Sequence, residues 1–423
     1  MPDPLPSSTK QSLSKAPATF YTLVSGNDSY WRVRAPAAAL GAKVVLVPEE
    51  EGDATFATPN RGPRFPWSLR MTLEDGSERR IHSEGGWHRT RVHKPPYRFT
   101  ALMAEFPKHE GVAIFTRPMF PQGVLSDAMR KQGIRTVAET DDNYFAKSEQ
   151  TLYLRQKGFG EMHRMTHAKS FARQDACVFS TEWLLLRYRR EFRERFGRRG
   201  MPQLYVCQNN IPLSDWPERI ERDGPIRVGF MGSTSHVWDI NIAYAALKLA
   251  HEAGCMVTMI GYNPGNPDPG VPDVYVDEEG VSHQMHSERS IEAREKWAEV
   301  IDRHIPWVSS EDYRRGGLPL DVGLCPLVND DFSMARSDVK AIEYSISGAA
   351  VVCANNVVYN RAGWKHEVNC LMANSYREFA GAVVRLIRNP KLRYELVSNA
   401  QEYVEKERGL DQLREEWGAV IDG

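Results

Sequence analysis

The sequence predicts an α/β protein with two Rossmann-like, doubly wound domains that face a cleft between them. The main observation is a repeated order of strand, glycine-containing turn, helix and strand. It occupies residues 19–47 and returns at residues 226–260. This alternation is typical of parallel sheets covered by helices on both faces. The length of 423 residues suffices for two or three domains, and the apolar fraction of 41% for their cores.

The first copy of the pattern continues with one interruption. We predict a hairpin insertion over about residues 62–97, because Asp75-Gly76 is a strong turn signal between two strand-like runs. A helix over residues 98–106 should follow it. The next predicted strands cover residues 111–115, 135–139 and 176–180, and the helices between and after them residues 123–132, 152–173 and 182–196.

The second copy leads into a helical C-terminus. A cluster of Pro, Gly and charged residues at 214–223 marks the boundary between the two domains. The expected division is a disordered segment without a signal peptide (1–18), an N-terminal acceptor-binding domain (19–215), a C-terminal donor-binding domain (216–404) and a final helix able to pack back on the N-terminal domain (405–423).

Charge and cysteine content exclude several classes of protein. Lys and Arg number 54 and Asp and Glu 55, a formal net charge of -1, so nothing global indicates nucleic acid or an anionic membrane. No apolar run is long enough to span a bilayer. The six cysteines lack metal-site spacing. We interpret them as reduced core residues of a cytoplasmic protein, with peripheral membrane contact left open.

The segment 338–344 is the most informative part of the sequence. It lies between two strand-like runs, 320–327 and 349–353, so it should begin a helix at the carboxyl edge of a parallel sheet. A helix start offers free N–H groups to a phosphate. Lys340 adds a cation, and Glu343 lies one turn further on the same face. A cation for a diphosphate and a carboxylate for ribose hydroxyls suit a nucleotide sugar. An ordinary exposed i,i+3 pair is the alternative.

Several motifs resemble those of GT-B glycosyltransferases, above all the retaining, family-four-like enzymes that use nucleotide sugars. In the C-terminal half they are R-V-G-F-M-G-S at 227–233, D-x-G-L-x-P-L at 321–327 and S-D-x-K-x-x-E-Y at 337–344. In the N-terminal half, residues 139–145 and 179–182 are similar to the acceptor domain of the same enzymes. The resemblance covers most of residues 19–423 apart from the insertions.

The resemblance implies a GT-B fold and transfer of a sugar, with retention, from a UDP- or GDP-linked donor to a hydroxyl group. It implies no tightly bound cofactor and no metal. The family has two acidic residues eight positions apart. Glu343 matches the second, whereas the first position holds Ala335. Asp330, Asp331 and Asp338 are candidate replacements.

The candidate donor site combines a glycine turn with the helix start. Lys340 would stabilise the leaving diphosphate, Glu343 would accept hydrogen bonds from the ribose, and His236 would bind a phosphate or the sugar. Trp307 is a candidate contact to the base, with a core position as the alternative. The full predicted donor set is Gly232, Ser233, Trp307, Arg336, Ser337, Asp338, Lys340 and Glu343.

The candidate acceptor side lies at the strand ends of the N-terminal domain. Asp141 and Asp142 follow a predicted strand and could orient or deprotonate an acceptor hydroxyl. Gly26, Asn27 and Arg32 follow the first strand and could line the same side. Capping of the next segment is the structural alternative for the two aspartates.

Three alternatives to an ordinary sugar transferase stay open. The insertion carries basic residues next to an aromatic one, which suits DNA, so a hydroxylated base could be the acceptor. Another two-domain α/β enzyme, an epimerase or a phosphorylase, is the second alternative. A non-catalytic nucleotide-sugar-binding protein is the third. Candidate acceptors are a glycan, a protein, a small molecule or modified DNA. The basic and aromatic residues concerned are Arg79, Arg80, His82, Trp87, His88, Arg89, Arg91, His93 and Lys94.

Overall fold

Two six-stranded parallel sheets form the framework of the protein in a computed structural model. The predicted two-domain α/β fold is thereby confirmed. Strands and helices are numbered in chain order. The structure describes residues 17–22, 30–46, 68–73, 78–82, 99–105, 109–118, 122–146, 161–198, 200–216, 223–233, 236–265, 274–276, 282–284, 288–306, 314 and 317–423.

The N-terminal sheet has the order β2-β1-β6-β7-β8-β9, with every neighbouring pair parallel. Its four inner strands are mostly buried, as expected of a sheet covered on both faces, whereas the two edge strands are partly exposed. A π-helical turn, Tyr30–Arg34, precedes the first helix. The strands are β1 (Ala18–Thr22), β2 (Lys43–Leu46), β6 (Val112–Thr116), β7 (Arg135–Thr140), β8 (Ala176–Phe179) and β9 (Gln203–Val206), and the helices are α1 (Ala35–Leu40), α2 (Gln122–Lys131), α3 (Glu161–Ala172) and α4 (Glu182–Phe196).

The C-terminal sheet is also parallel and has the order β14-β11-β10-β15-β16-β17. The chain builds outwards from β10 on one side, then crosses over and builds outwards from β15 on the other. This reversal creates a switch point between β10 and β15. The strands are β10 (Arg227–Gly232), β11 (Met256–Gly261), β14 (Arg303–Ile305), β15 (Val322–Cys325), β16 (Ala350–Ala354) and β17 (Leu371–Ala373).

Helices surround the C-terminal sheet and continue to the end of the chain. Ser375 caps the helix that follows it, because its side chain accepts from the backbone N–H of Glu378. A short antiparallel ribbon, β12 (Val274–Val276) and β13 (Ser282–Gln284), follows β11 in the chain. The helices are α5 (Val237–Glu252), α6 (Glu288–Val300), α7 (Val339–Ile346), α8 (Val357–Arg361), α9 (Tyr376–Arg388), α10 (Pro390–Glu407) and α11 (Leu410–Asp422).

The insertion contains the expected hairpin, β3 (Ser68–Leu73) paired antiparallel with β4 (Glu78–His82). The helix predicted over 98–106 is wrong: β5 (Phe99–Glu105) is a third strand that pairs with β3. Pairing with the hairpin overrides the helical pattern of this short run, since strand preference depends on the neighbours available. The turn at Asp75-Gly76 and the basic run after β4 lie outside the described residues.

The last helix returns to the N-terminal domain. The Trp417 ring of α11 packs edge-on against Phe20 of β1, with 5.2 Å between the ring centroids. Arg135 at the start of β7 donates hydrogen bonds of 2.6 and 3.0 Å to the carbonyls of Val420 and Ile421. The C-terminus therefore ties the two domains together through backbone contacts as well as packing.

All six cysteines are buried and none forms a disulfide, as the sequence predicted. Among the described residues, no helix is long and apolar enough to cross a membrane. In the same part of the chain, no group of three or more His, Cys, Asp or Glu side chains is arranged to hold a metal ion.

A buried ion pair joins the start of α7 to the point where the chain crosses back to the N-terminal domain. Asp338 immediately precedes α7, and Arg408 immediately follows α10. Arg408 contacts the Asp338 carboxylate with two nitrogens, at 2.6 and 3.0 Å, and both side chains are at most 3% exposed. Arg408 also donates to Asn209 and Asn210 in the segment after β9. One guanidinium thus links three separate parts of the chain.

Arg408→Met should lower the melting temperature by about 5–10 °C. Loss of the guanidinium leaves the Asp338 carboxylate buried without its counter-ion, which costs about 3–5 kcal/mol. Arg190→Met is the matched control, because the Arg190–Glu194 pair on α4 is more than half exposed on both sides. Thermal unfolding followed by circular dichroism measures both variants. Equal shifts in the two variants would contradict a special role for Arg408.

Candidate functional site

Three basic side chains meet at the switch point of the C-terminal sheet. His236 follows β10, whereas Arg336 and Lys340 come from the loop after β15 and from α7. Nη1 of Arg336 lies 2.6 Å from each ring nitrogen of His236, and Nζ of Lys340 lies 2.7 Å from Nε2. The structure therefore brings together three residues that the sequence predicted for a diphosphate site.

A buried carboxylate, Asp239, lies behind this cluster. Its Oδ2 is 2.7 Å from Nδ1 of His236 and 3.7 Å from Arg336, while Oδ1 accepts from the backbone N–H of Val328. Since a carboxylate can only accept, Nδ1 of His236 carries the hydrogen and Nε2 is left to accept from Lys340. Asp239 thereby fixes both the tautomer and the orientation of the ring.

Burial and the crowding of like charges set the protonation of the cluster. Burial, followed by the charges of Arg336 and Lys340, lowers the pKa of His236 well below its ordinary value, so the ring is neutral at pH 7. Burial, followed by Arg336, lowers the pKa of Lys340 from 10.5 to about 8, with Glu343 acting in the opposite direction. Two cations held against a neutral ring form a site suited to an anion.

Two glycines allow this close approach. A Cβ on Gly232, the last residue of β10, would lie 3.0 Å from the His236 ring and 2.7 Å from Phe230. A Cβ on Gly323 in β15 would lie 2.4 Å from the Tyr344 ring. Tyr344 packs there and accepts a 2.7 Å hydrogen bond from the N–H of Met231. These contacts set α7 directly against β10 and β15, which positions Lys340 and Glu343 at the sheet edge.

Glu343 lies at the boundary between the domains. Its Oε1 accepts a 3.0 Å hydrogen bond from the indole Nε1 of Trp31, in the π-helical turn of the N-terminal domain. Both side chains are buried. The carboxylate predicted to meet a ribose is thus held from the opposite domain.

The other predicted donor residues differ in their surroundings. Ser233 is exposed directly after β10, and Ser337 accepts a 2.7 Å hydrogen bond from the side-chain amide of Asn209 in the N-terminal domain. Asp338 instead bonds to Arg408 and to the indole N–H of Trp364, so its place is in the structural ion pair. Trp307 lies outside the described residues.

Ala335, which stands where the first carboxylate of the acidic pair was expected, is closed off from solvent. Ala335 is fully buried in a short 3-10 turn, and its carbonyl accepts from the hydroxyl of Thr181 in the N-terminal domain. Of the candidate replacements, Asp330 caps this turn through the N–H of Ser333. Asp331 lies 3.5 Å from Arg187 of α4. The loop that carries these residues therefore serves as a contact between the domains.

On the opposite face, an arginine holds the two predicted acceptor-side aspartates. Arg117 follows β6 and lies 2.5 Å from Asp141 and 3.4 Å from Asp142, which follow β7. Burial acts to raise the pKa of Asp141, but the charge and hydrogen bond of Arg117 outweigh it, so the pKa lies below its ordinary value. Arg117 has a backbone φ of 50°, a left-handed conformation that is uncommon outside glycine and is enriched at functional sites.

Arg32 does not line an open surface. It is 1% exposed and bonds to Glu139 at 2.5 Å, to the carbonyl of Cys207 at 2.5 Å and to Asn209 at 3.1 Å. Its role is to anchor the π-helical turn to the sheet and to the segment after β9. Gly26 and Asn27, the other residues predicted with it, lie outside the described residues.

Sequence reasoning missed Trp31, Arg117, Asp239 and Arg408. Asp239 could have been found, since it lies one helical turn after His236. Arg117 offered a weaker signal, because it directly follows a predicted strand. The partners of Trp31 and Arg408 are 312 and 70 residues away, and no local pattern indicates them.

A search of solved structures gives matches over nearly the whole chain. HepE of Anabaena, solved with UDP and glucose, superposes with a TM-score of 0.57 at 12% identity, over 96% of this chain and 99% of that one. Sucrose-phosphate synthase of Thermosynechococcus elongatus gives 0.56 at 12% identity, over 96% and 98%. This chain has the GT-B fold. The predicted architecture is thereby confirmed.

The GT-B match to Staphylococcus aureus TarM is partial. It has a TM-score of 0.50 at 11% identity and covers 74% of this chain, which spans 55% of TarM. No protein-family model matches the sequence, and no curated protein matches it. At these identities the likeness establishes the GT-B fold, while the activity has to be argued from the site.

Lys340→Met should raise the melting temperature at pH 7, because it relieves the repulsion within the cluster. The pKa of Lys340 in the folded protein, about 8, lies below its ordinary value of 10.5. Between these pH values the unfolded chain binds the proton that the folded protein has released, so stability rises with pH. Below pH 8 the folded protein also holds the proton on Lys340, so the destabilisation by this charge is fully present. The gain from Lys340→Met should therefore shrink as the pH rises from 8 to 10.5.

Thermal unfolding across pH 7–10.5 measures this effect. Lys365→Met is the matched control, since Lys365 is exposed on the same domain. We expect no pH-dependent difference between this control and the unmodified protein. A melting temperature that falls at pH 7 in Lys340→Met would contradict the electrostatic account of the cluster.

Proposed function

We propose that this protein transfers a sugar from a UDP- or GDP-linked donor to a hydroxyl acceptor, with the nucleotide diphosphate bound at His236, Arg336 and Lys340. One observation carries the proposal: two half-buried cations converge on a neutral histidine at the switch point of the C-terminal sheet. Ligands of open α/β sheets bind at this position. The UDP and UDP-glucose complexes of HepE support UDP as the first nucleotide to test.

The cations supply the main chemical assistance. As the bond between the sugar and the diphosphate breaks, negative charge grows on the leaving phosphate oxygens. Arg336 and Lys340 are already in place to stabilise this charge, so little reorganisation is needed during the step. Burial and the charge of Arg336 lower the pKa of Lys340, and a bound phosphate acts in the opposite direction because its negative charge favours the ammonium, so the lysine keeps its proton when the donor is bound.

Glu343 is the proposed ribose contact. It lies one turn after Lys340 on α7, and one of its oxygens accepts from Trp31. A carboxylate has about four acceptor positions, so ribose hydroxyls can share it with the indole. The diphosphate and the ribose would then meet neighbouring residues of a single helix.

The acceptor would approach from the N-terminal domain, near Asp141 and Asp142. Arg117 keeps Asp141 ionised, which makes Asp141 a hydrogen-bond acceptor for a sugar or alcohol hydroxyl. Asp142 is less tightly held, at 3.4 Å from Arg117. We propose retention of the anomeric configuration from the motif resemblance, with Ala335 as this chain's departure from the usual acidic pair. The six reduced cysteines support a cytoplasmic protein.

The decisive experiment is a screen of UDP- and GDP-linked sugars for released nucleotide. Wild-type protein should release nucleotide from at least one donor, and Lys340→Ala should lower kcat by about 10²–10³, the usual effect of removing one group that stabilises developing charge. Lys365→Ala is the control and should retain the wild-type rate. Nuclear magnetic resonance of the released sugar at early times reports whether the anomer is retained.

Two results would count against the proposal. Formation of an epimerised nucleotide sugar without transfer or hydrolysis would indicate an epimerase. Tight donor binding that Lys340→Ala abolishes, with no turnover for any donor and a range of hydroxyl acceptors, would indicate a binding protein.

A further inference from the structure

We propose that Trp31 is a positioning residue for the donor site: its indole N–H, supplied by the N-terminal domain, orients the Glu343 carboxylate towards the ribose of the nucleotide. This inference rests on the proposed function. It makes selective nucleotide binding depend on contact between the two domains, although the diphosphate cluster belongs to the C-terminal domain alone.

The hydrogen bond between Trp31 and Glu343 joins two buried groups. The indole N–H can only donate, and an ionised carboxylate can only accept. The distance of 3.0 Å and the low exposure of both side chains make this a charge-assisted bond away from bulk water. Such bonds are about twice as strong as those between neutral groups. Trp31 therefore restricts the rotation of the carboxylate.

The residue next to Trp31 makes its position rigid. Arg32 is fixed to Glu139 of β7, and also to the carbonyl of Cys207 and the side chain of Asn209. Single π-helical turns of this kind occur frequently at functional sites. Arg32 thus secures the turn in the N-terminal domain while Trp31 extends to the C-terminal one. An indole held in this way can orient its partner.

Glu343, which accepts this hydrogen bond, lies where the orientation of its carboxylate matters. Glu343 is on the same helix face as Lys340, and its charge acts on that lysine. Asn209, which accepts from Arg32, also donates a 2.7 Å hydrogen bond to Ser337 just before α7. The same N-terminal structure therefore contacts both the start of α7 and its ribose-facing carboxylate. A small displacement of that structure would misalign Glu343 without disturbing Arg336 or His236.

Trp31→Phe tests the inference, because phenylalanine keeps an aromatic ring but removes the N–H. Trp417→Phe is the matched control. Trp417 is a fully buried indole in the same part of the molecule, and its Nε1 has no hydrogen-bond partner within the described residues. Both variants lose similar volume from the core, but only Trp31→Phe loses a bond to the donor site.

Calorimetry should compare UDP with 2′,3′-dideoxy-UDP, and GDP with its dideoxy analogue in parallel. Wild-type protein and Trp417→Phe should prefer the nucleotide with the intact ribose by about tenfold or more, the usual effect of a hydrogen bond to a charged group. Trp31→Phe should lose most of this preference and keep its affinity for the dideoxy compound. Glu343→Gln should lose the preference too, and the double variant should lose no more than either single one.

If Trp31 had a purely structural role, Trp31→Phe would change the affinities for the two nucleotides equally. Three results for Trp31→Phe would each overturn the inference. They are an equal loss of affinity for UDP and for its dideoxy analogue, an unchanged preference for the intact ribose, and tighter binding of UDP. The last result would mean that Trp31 competes with the ribose for Glu343. Failure of the wild-type protein to bind any nucleotide would instead overturn the proposed function. With an active donor, Trp31→Phe should raise KM for that donor more than it lowers kcat.

Discussion

The placement of helix α7 is the constraint on which the site depends. Asp338, the residue before the helix, is fixed by a buried ion pair with Arg408. Tyr344, further along, is fixed by its fit against Gly323 and its hydrogen bond to Met231. Between these two points lie Lys340 and Glu343. The site residues therefore gain their geometry from groups that never need to touch a ligand.

The cluster of His236, Arg336 and Lys340 shows that this arrangement costs folding free energy. Burial and the charge of Arg336 lower the pKa of Lys340, which means that the folded protein holds the protonated lysine against an unfavourable free energy. Such strain is common where function needs a charge that stability does not. An anionic ligand converts the same repulsion into binding energy. This balance is the physical basis of the proposed anion site.

Contacts between the domains are concentrated around the same site. Thr181 bonds to the carbonyl of Ala335, Asn209 to Ser337 and Trp31 to Glu343. All three of these contacts meet the loop after β15 or the helix that follows it. Ala335 stands where the resembling enzymes carry the first residue of the acidic pair. The segment around it is therefore also held by the N-terminal domain. At 12% identity to its structural neighbours, the chain retains the GT-B framework.

The sequence by itself determined the two α/β domains, the hairpin in the insertion and the glycine turn before His236, because these depend on local patterns of apolar, turn and capping residues. It also brought Lys340 and Glu343 to one helix face, since their spacing is that of one helical turn. Only the tertiary structure decided that residues 99–105 form a strand, that Asp338 and Arg32 lie in buried ion pairs, and that Trp31 reaches Glu343. The physical reason is that those outcomes depend on partners distant in the chain, and burial then obliges each charged or donor group to find one.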